Sequence, residues 1–214
     1  MANDFHRSAG AFGAWLAAMR GVLRGQQSAD VPCDGCVGCC VSSYAIALRP
    51  ADTAALGAVP ARYLRLPAAG GGTALMAHRE DGSCPMLEAG HCTIYAARPQ
   101  TCRDYDCRIY AATGLLPDGE RPVIRDRVCE WRFEYPTQAE RLQHEALRRA
   151  ARFIRRHAEL FPRAARAHSN AAAAVLAVKT WLLFAHEKGD AATAASPAEQ
   201  VRRVLEAARA FDTA

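Results

Sequence analysis

Eight of the nine cysteines in this chain fall between Cys33 and Cys107. Four form one packed run, Cys33-x-x-Cys36-x-x-Cys39-Cys40; the others follow as Cys84, Cys92, Cys102 and Cys107. A thiolate is a soft, charge-bearing metal ligand, and two-residue spacers let a tight loop aim successive sulfurs at one point. The run also contains Pro32, Gly35 and Gly38, and small residues free a backbone to wrap a metal and turn its amide N–H groups toward sulfur. The chain has 214 residues and is half hydrophobic. That is enough to bury a core without cross-links, so a disulfide framework is not required.

Targeting signals do not alter this picture. Ala9 to Met19 is apolar, but Asp4 precedes it and Arg20 and Arg24 follow, which is the wrong charge order for a secretory leader. Ala171 to Ala185 is interrupted by Lys179 and reads as a buried helix rather than a membrane span. The expectation is therefore a cytoplasmic, reducing setting, in which clustered cysteines bind metal or act as redox thiols.

Cys33, Cys36 and Cys39 have the spacing with which bacterial-type ferredoxins supply three ligands to one cubane, and Cys84-Pro85 offers a remote Cys-Pro. Cys40 does not fit one mononuclear centre easily, because adjacent side chains diverge. Three roles stay open for it: ligand to a second centre with some of Cys92, Cys102 and Cys107, bridge between two metals, or free redox thiol. Eight thiols divide into two four-sulfur sites, but that arithmetic does not choose zinc over iron–sulfur. Cys129, beside Trp131, is expected in the core. His78 and His91 are expected to be hydrogen bonded or solvated rather than ligating. The C-x3-C-x2-C spacing of radical S-adenosylmethionine enzymes, a glycine-rich nucleotide fingerprint and a phosphate loop are all missing from the sequence. No nucleophile–base pair or acidic dyad stands out, so the sequence does not decide whether the protein is an enzyme.

Local patterns place the cysteines in a mainly α chain with a small irregular α+β lobe. The expected organisation is an N-terminal helix in 1–30, a cysteine-rich zinc- or iron-chelating lobe in 31–131, and a C-terminal helical region in 136–214 packed on it as one compact unit. Phe5 to Arg24 shows helical spacing. Tyr44 to Leu48, Leu75 to His78, Pro85 to Leu87 and His91 to Tyr95 read as strand-like pieces, with turns at Asp81-Gly82 and Ala89-Gly90. Pro50 to Leu56 and Pro99 to Tyr105 read as short helices. Gly70 to Gly72 and Gly189 to Ala195 read as connections. Thr137-x-x-Glu140 has capping-box spacing before a long amphipathic helix to about Leu160; Ser169 caps a second helix, and Ser196-Pro197 opens the last, which runs to Phe211.

The formal charge is +5, and arginine outnumbers lysine 25 to 2. Arg141 to Arg166 holds eight arginines against Glu145 and Glu159. Without interleaved aromatics this stretch argues against nucleic acid. It reads first as a solvated helix face, with an unidentified protein partner as the alternative.

The run Cys33-Asp-Gly-Cys36-Val-Gly-Cys39-Cys40, then Cys84-Pro-Met-Leu, then His91-Cys92-Thr-Ile-Tyr-Ala-Ala-Arg98-Pro99-Gln-Thr-Cys102-Arg103-Asp-Tyr105, resembles the CxxCxxCC cysteine-cluster family, the YkgJ-type zinc- or iron-chelating domain. The resemblance covers about Val31 to Tyr110. It implies that Cys33, Cys36, Cys39, Cys40, Cys84, Cys92, Cys102 and Cys107 hold one or two centres, an iron–sulfur cluster of the [4Fe–4S] kind or zinc. Arg98 and Arg103 are candidates to balance the charge of the sulfurs, and Tyr95 and Tyr105 to shield them. One relative, the flagellin lysine N-methylase, is an iron–sulfur protein that uses S-adenosylmethionine. The resemblance thus implies a redox or electron-transfer role, or cluster-dependent protein methyl transfer with S-adenosylmethionine, although no methyl-donor site maps onto these residues. The alternatives are a non-enzymatic, zinc-stapled interaction module with a basic helix, and a thiol redox sensor built on Cys39-Cys40.

Overall fold

A computed structural model describes residues 6–29, 31, 35–66, 72–119, 121–185 and 195–213. Cys33, the Gly70-Gly71 connection and nearly all of the Gly189–Ala195 loop lie outside these residues. In chain order the elements are β1 (Arg7–Ala11), α1 (Phe12–Leu23), β2 (Ile46–Leu48), α2 (Thr53–Ala58), β3 (Leu64–Arg65), β4 (Ala74–Met76), β5 (Leu87–Glu88) and β6 (His91–Cys92). They continue with α3 (Gln100–Asp104), α4 (Arg108–Thr113), α5 (Pro122–Glu130), β7 (Trp131–Glu134), α6 (Gln138–Arg156), α7 (Asn170–Thr180) and α8 (Pro197–Thr213). The chain is mainly α, and its sheets are small. Among the described residues no helix is long and apolar enough to cross a membrane. Two compact units form: residues 1–27, 107–120 and 128–214 make one, and residues 28–106 with 121–127 the other.

The first unit is helical and is built on α6. Its inward positions His144, Ala146, Leu147, Ala150, Ala151 and Ile154 recur every three or four residues, so one stripe faces the core. Ala173, Ala174, Ala177 and Val178 of α7 are fully buried, and their small side chains permit close helix approach. All three expected caps form. Thr137 and Glu140 make the reciprocal capping box, the Ser169 hydroxyl accepts from the Ala172 amide at 3.0 Å, and the Ser196 hydroxyl accepts from the Glu199 amide at 3.2 Å. α6 stops at Arg156, short of Leu160, which sits in a separate single turn.

Two sequence expectations are corrected here. The Phe5 to Arg24 pattern is not one helix, because residues 7–11 form a strand. Gly10 has φ +82°, outside the helical region. β1 runs parallel to β7 with Arg7 opposite Trp131 and Ser8 opposite Arg132. β7 went unread in the sequence because parallel partners some 120 residues apart leave no local turn signal. Cys129 is exposed rather than buried; its neighbours Val128 and Trp131 take the inward positions.

The second unit carries the cysteine-rich lobe. β4 lies between β2 and β3 in an antiparallel sheet, with Ile46 opposite Met76 and Leu48 opposite Ala74. β5 and β6 form the hairpin signalled by Ala89-Gly90, both of which take positive φ (46° and 79°). Its apolar cluster is short: Ile46, Leu48, Ala55, Val59, Ala74, Met76, Cys84 and Met86.

Candidate metal centre

Each cysteine of this lobe is positioned by a different local device. Cys39 and Cys40 lie on a single 3-10 turn, Gly38–Val41. There the Gly38 amide donates to the Cys36 sulfur at 3.4 Å, and the Ser42 hydroxyl back-bonds to the Gly38 carbonyl. The Cys84 amide donates to the Cys40 carbonyl at 2.7 Å, which ties the packed run to the Cys84-Pro85 segment. Arg79 clamps that segment from the other side, donating to the carbonyls of Pro85 and Leu87, each at 2.8 Å. Cys92 sits on β6 opposite Leu87. Cys102 is on α3, which Pro99 precedes as its N-cap. Asp52 and Thr101 fasten α3 in place: the Asp52 carboxylate accepts from the Gln100 amide at 2.8 Å, and the Thr101 hydroxyl donates to the Ala47 carbonyl at 2.7 Å.

These devices bring Cys36, Cys39, Cys40, Cys84, Cys92 and Cys102 to the wall of one cavity of about 400 Å³. Ile46, Met76, Met86 and Ile94 make much of the remaining lining, and the Cys84 sulfur lies 3.8 Å from that of Met76. Among the described residues, no three His, Cys, Asp or Glu side chains form a set that could hold a metal ion as they stand. Cys107 does not line the cavity. It is buried in the helical unit, where its sulfur accepts from the Trp131 indole at 3.2 Å.

The thiols affect one another's ionisation. The Cys40 thiol donates to Cys39 and holds Cys39 down at about 7, helped further by nearby backbone amides and Arg98. The same hydrogen bond pushes Cys40 up, as do burial and the facing Cys39, Cys84 and Cys92. Burial, then Cys39, Cys84 and Cys92, push Cys102 up to about 12. Burial likewise raises Cys84. So many thiolates in one apolar pocket repel each other unless a cation joins them.

The other side chains singled out in the sequence fall as follows. Arg98 lines the cavity and lies 3.7 Å above the Tyr95 ring, with its Nε donating to the Tyr95 carbonyl. Arg103 instead donates to the carbonyls of Ala96 and Arg98 and fixes the loop before α3. Tyr95 and Tyr105 both line the cavity. His78 bonds the Tyr44 carbonyl at 2.9 Å and His91 that of Ala89 at 3.2 Å, so both imidazoles have partners other than a metal. In the basic stretch, Arg149 donates to the Phe184 carbonyl, and Arg166 pairs with Glu159 at 2.8 Å. Arg79, Tyr44, Met76 and Met86 were not singled out in the sequence. Only the Asp81-Gly82 turn, which folds Arg79 back toward Pro85, left a trace there.

A family model described as "CxxCxxCC: Putative zinc- or iron-chelating domain" matches residues 32–130. No curated protein and no solved structure matches the chain.

Proposed function

From the CxxCxxCC zinc- or iron-chelating domain that this chain carries over residues 32–130, we propose that the protein is an iron–sulfur protein whose centre occupies the thiol-lined cavity. The observation that carries this reading is the convergence of six thiols on one cavity of about 400 Å³. That space suits a centre of several atoms better than a lone tetrahedral ion. The donor set fits: thiolates are the standard ligands of such clusters, and four suffice for a [4Fe–4S] centre. Four drawn from Cys36, Cys39, Cys40, Cys84, Cys92 and Cys102 would hold it. When bound, the group supplies one-electron transfer at a potential set by its surroundings. This chain's residues bind it, exclude water with Ile46, Met76, Met86 and Ile94, and offset its negative charge with Arg98.

A second reading has a specific observation behind it. Cys39 and Cys40 are adjacent on one 3-10 turn, and both line the six-thiol cavity. Six thiolates could share two zinc ions through bridging sulfurs and staple the lobe without redox chemistry. Purification without oxygen, followed by assay of iron, zinc and acid-labile sulfide, separates the two. We expect about four irons and about four sulfides per chain, with visible absorption that bleaches on reduction. About two zincs, no sulfide and a colourless protein would replace the cluster by the zinc staple.

A further inference from the structure

Besides its six thiols, the cavity is lined by two buried thioethers, Met76 and Met86. The Cys84 thiol donates to the Met76 sulfur across 3.8 Å. Local structure holds both partners. On β4, Ala74 and Met76 are buried and Leu75 between them is exposed. Met76 is opposite Ile46 on one neighbouring strand and Leu64 on the other, so its side chain is committed to the inside of the lobe. The Cys84 amide donates to the Cys40 carbonyl at 2.7 Å, and Leu87, three residues on, is opposite Cys92. The segments that carry Cys40 and Cys92 therefore run alongside Cys84. Two sulfurs bound to one ion at about 2.3 Å each, at tetrahedral or trigonal angles, stand about 3.8 to 4.0 Å apart. The Cys84–Met76 pair is already at that separation.

We propose that the metal-free cavity binds copper(I), with the Cys84 thiolate and the Met76 thioether as ligands to the same ion and a thiolate of Cys40 or Cys92 completing it. Binding displaces the protons of the two thiols to the solvent and changes no oxidation state. A thioether is a neutral, soft donor that suits copper(I). It adds little for zinc(II), whose ligands are thiolate, imidazole and carboxylate, or for the irons of a cluster, which take thiolates. The apolar wall of Ile46, Met86 and Ile94 also favours the ion of lower charge, which costs less to desolvate. The inference stands on the sulfur geometry and goes beyond the iron–sulfur reading, whose centre would compete for the same thiols.

The test titrates the full chain, freed of metal and kept reduced without oxygen, with copper(I) against the colorimetric chelator bicinchoninate. Met76→Leu, which keeps the volume of the side chain, is titrated beside it, and zinc(II) is titrated into both. We expect the unaltered chain to take copper(I) from the chelator and Met76→Leu to hold it at least about tenfold more weakly, since even an outer-shell partner is worth that much to a metal site. Zinc(II) affinity should be alike in the two proteins. A chain that takes no copper(I), or holds it equally tightly without the thioether, overturns the proposal. So does a zinc(II) loss equal to the copper(I) loss, which would make Met76 a packing residue only. Should Met76→Leu not fold, selenium-edge X-ray absorption of the copper-loaded selenomethionine protein decides instead. A copper neighbour of selenium supports the thioether ligand, and its absence overturns it. None of these outcomes touches the count of iron and acid-labile sulfide in the protein as purified, so the cluster reading stands or falls separately.

Discussion

In the helical unit, Ala146, Leu147, Ala150, Ala151 and Ile154 of α6 are buried to within 1%. They face the equally buried Ala173, Ala174, Ala177 and Val178 of α7, and Val204 of α8 is buried as completely. In the cysteine-rich unit, full burial of that kind is reached at few positions, and the strands are two or three residues long. What that unit gathers instead is sulfur. Long helices can bury a continuous apolar stripe and so supply their own stability, whereas short irregular segments bury too little to offset the entropy of ordering them. The contrast suggests that the first unit is stabilised by water exclusion and the second in large part by its metal, through coupled binding and folding.

Metal removal tests that contrast hardest. A chelator, with reductant to keep the thiols free, should raise proteolytic cleavage within residues 35–106 by more than about tenfold while α6 and α7 keep their helical circular dichroism. Equal cleavage with and without metal would show that the small apolar cluster suffices on its own.

Single cysteine replacements sharpen the same comparison. Cys36→Ser, Cys39→Ser or Cys84→Ser should strip or strongly weaken bound metal, measured as metal per chain after desalting. Cys107→Ser should keep the metal and lose only the packing and hydrogen bond at Trp131. Cys129→Ser, at an exposed site, should change neither metal nor stability. A Cys107→Ser protein emptied of metal would return Cys107 to the ligand set.

Much of this contrast was legible in the sequence, for physical reasons that differ by element. Helix starts were legible because a cap is a local chemical event. Thr137 and Glu140, three residues apart, satisfy each other's backbone amides wherever the helix goes next. The Ala89-Gly90 turn was legible because few dipeptides accept two positive φ angles. Cys36 to Cys102 were legible as a group by type and spacing, but the separation of Cys107 was not. A sulfur five residues after Cys102 reads in the sequence as one more ligand, whereas in the structure it accepts from the indole of Trp131, far along the chain. The parallel pairing of β1 with β7 also depends on partners brought close by folding rather than by sequence neighbourhood. Tyr44 was passed over because nothing in a strand-like segment marks which hydroxyl will be buried without a partner.

His144 gives the helical unit its own pH dependence, apart from any thiol. Its Nε2 meets the Ala112 carbonyl at 2.8 Å, which can only accept, so Nε2 carries the proton and Nδ1 accepts from the Tyr135 hydroxyl at 2.6 Å. Phe12 stacks on the ring at 4.3 Å. Burial first, then Arg148, hold the imidazole down at about 4, against 6.5 for an ordinary histidine. The unfolded chain therefore takes up a proton before the folded one does. The stabilisation is complete above pH ~6.5 and is lost as the pH falls toward ~4, about 2 kcal/mol by pH ~4.5. Urea unfolding of the helical unit at both pH values should show this drop, and His144→Gln should flatten it. An unchanged slope in the variant would assign the acid sensitivity to other groups.

Thr137→Ala should have the smallest effect, and it addresses whether local chemistry in the helical unit can be altered without disturbing the metal. The Thr137 hydroxyl accepts from the Glu140 amide at 3.3 Å, and the Glu140 carboxylate accepts from the Thr137 amide at 3.1 Å. The other carboxylate oxygen of Glu140 accepts from the Gly13 amide at 3.2 Å. A Cβ at position 13 would stand 2.6 Å from that oxygen, so Gly13 is what allows α1 to reach this cap. Loss of the Thr137 hydroxyl should cost about 1 kcal/mol in urea unfolding. Glu140→Gln keeps an acceptor for only one of the two amides and turns an N–H donor toward the other, so it should cost at least as much. Metal per chain should stay constant in both variants, because a cap acts on the first turn of one helix. A fall in metal content that tracks the stability loss would mean that the thiol site draws on the helical unit's stability, and the two means of stabilisation would no longer be independent.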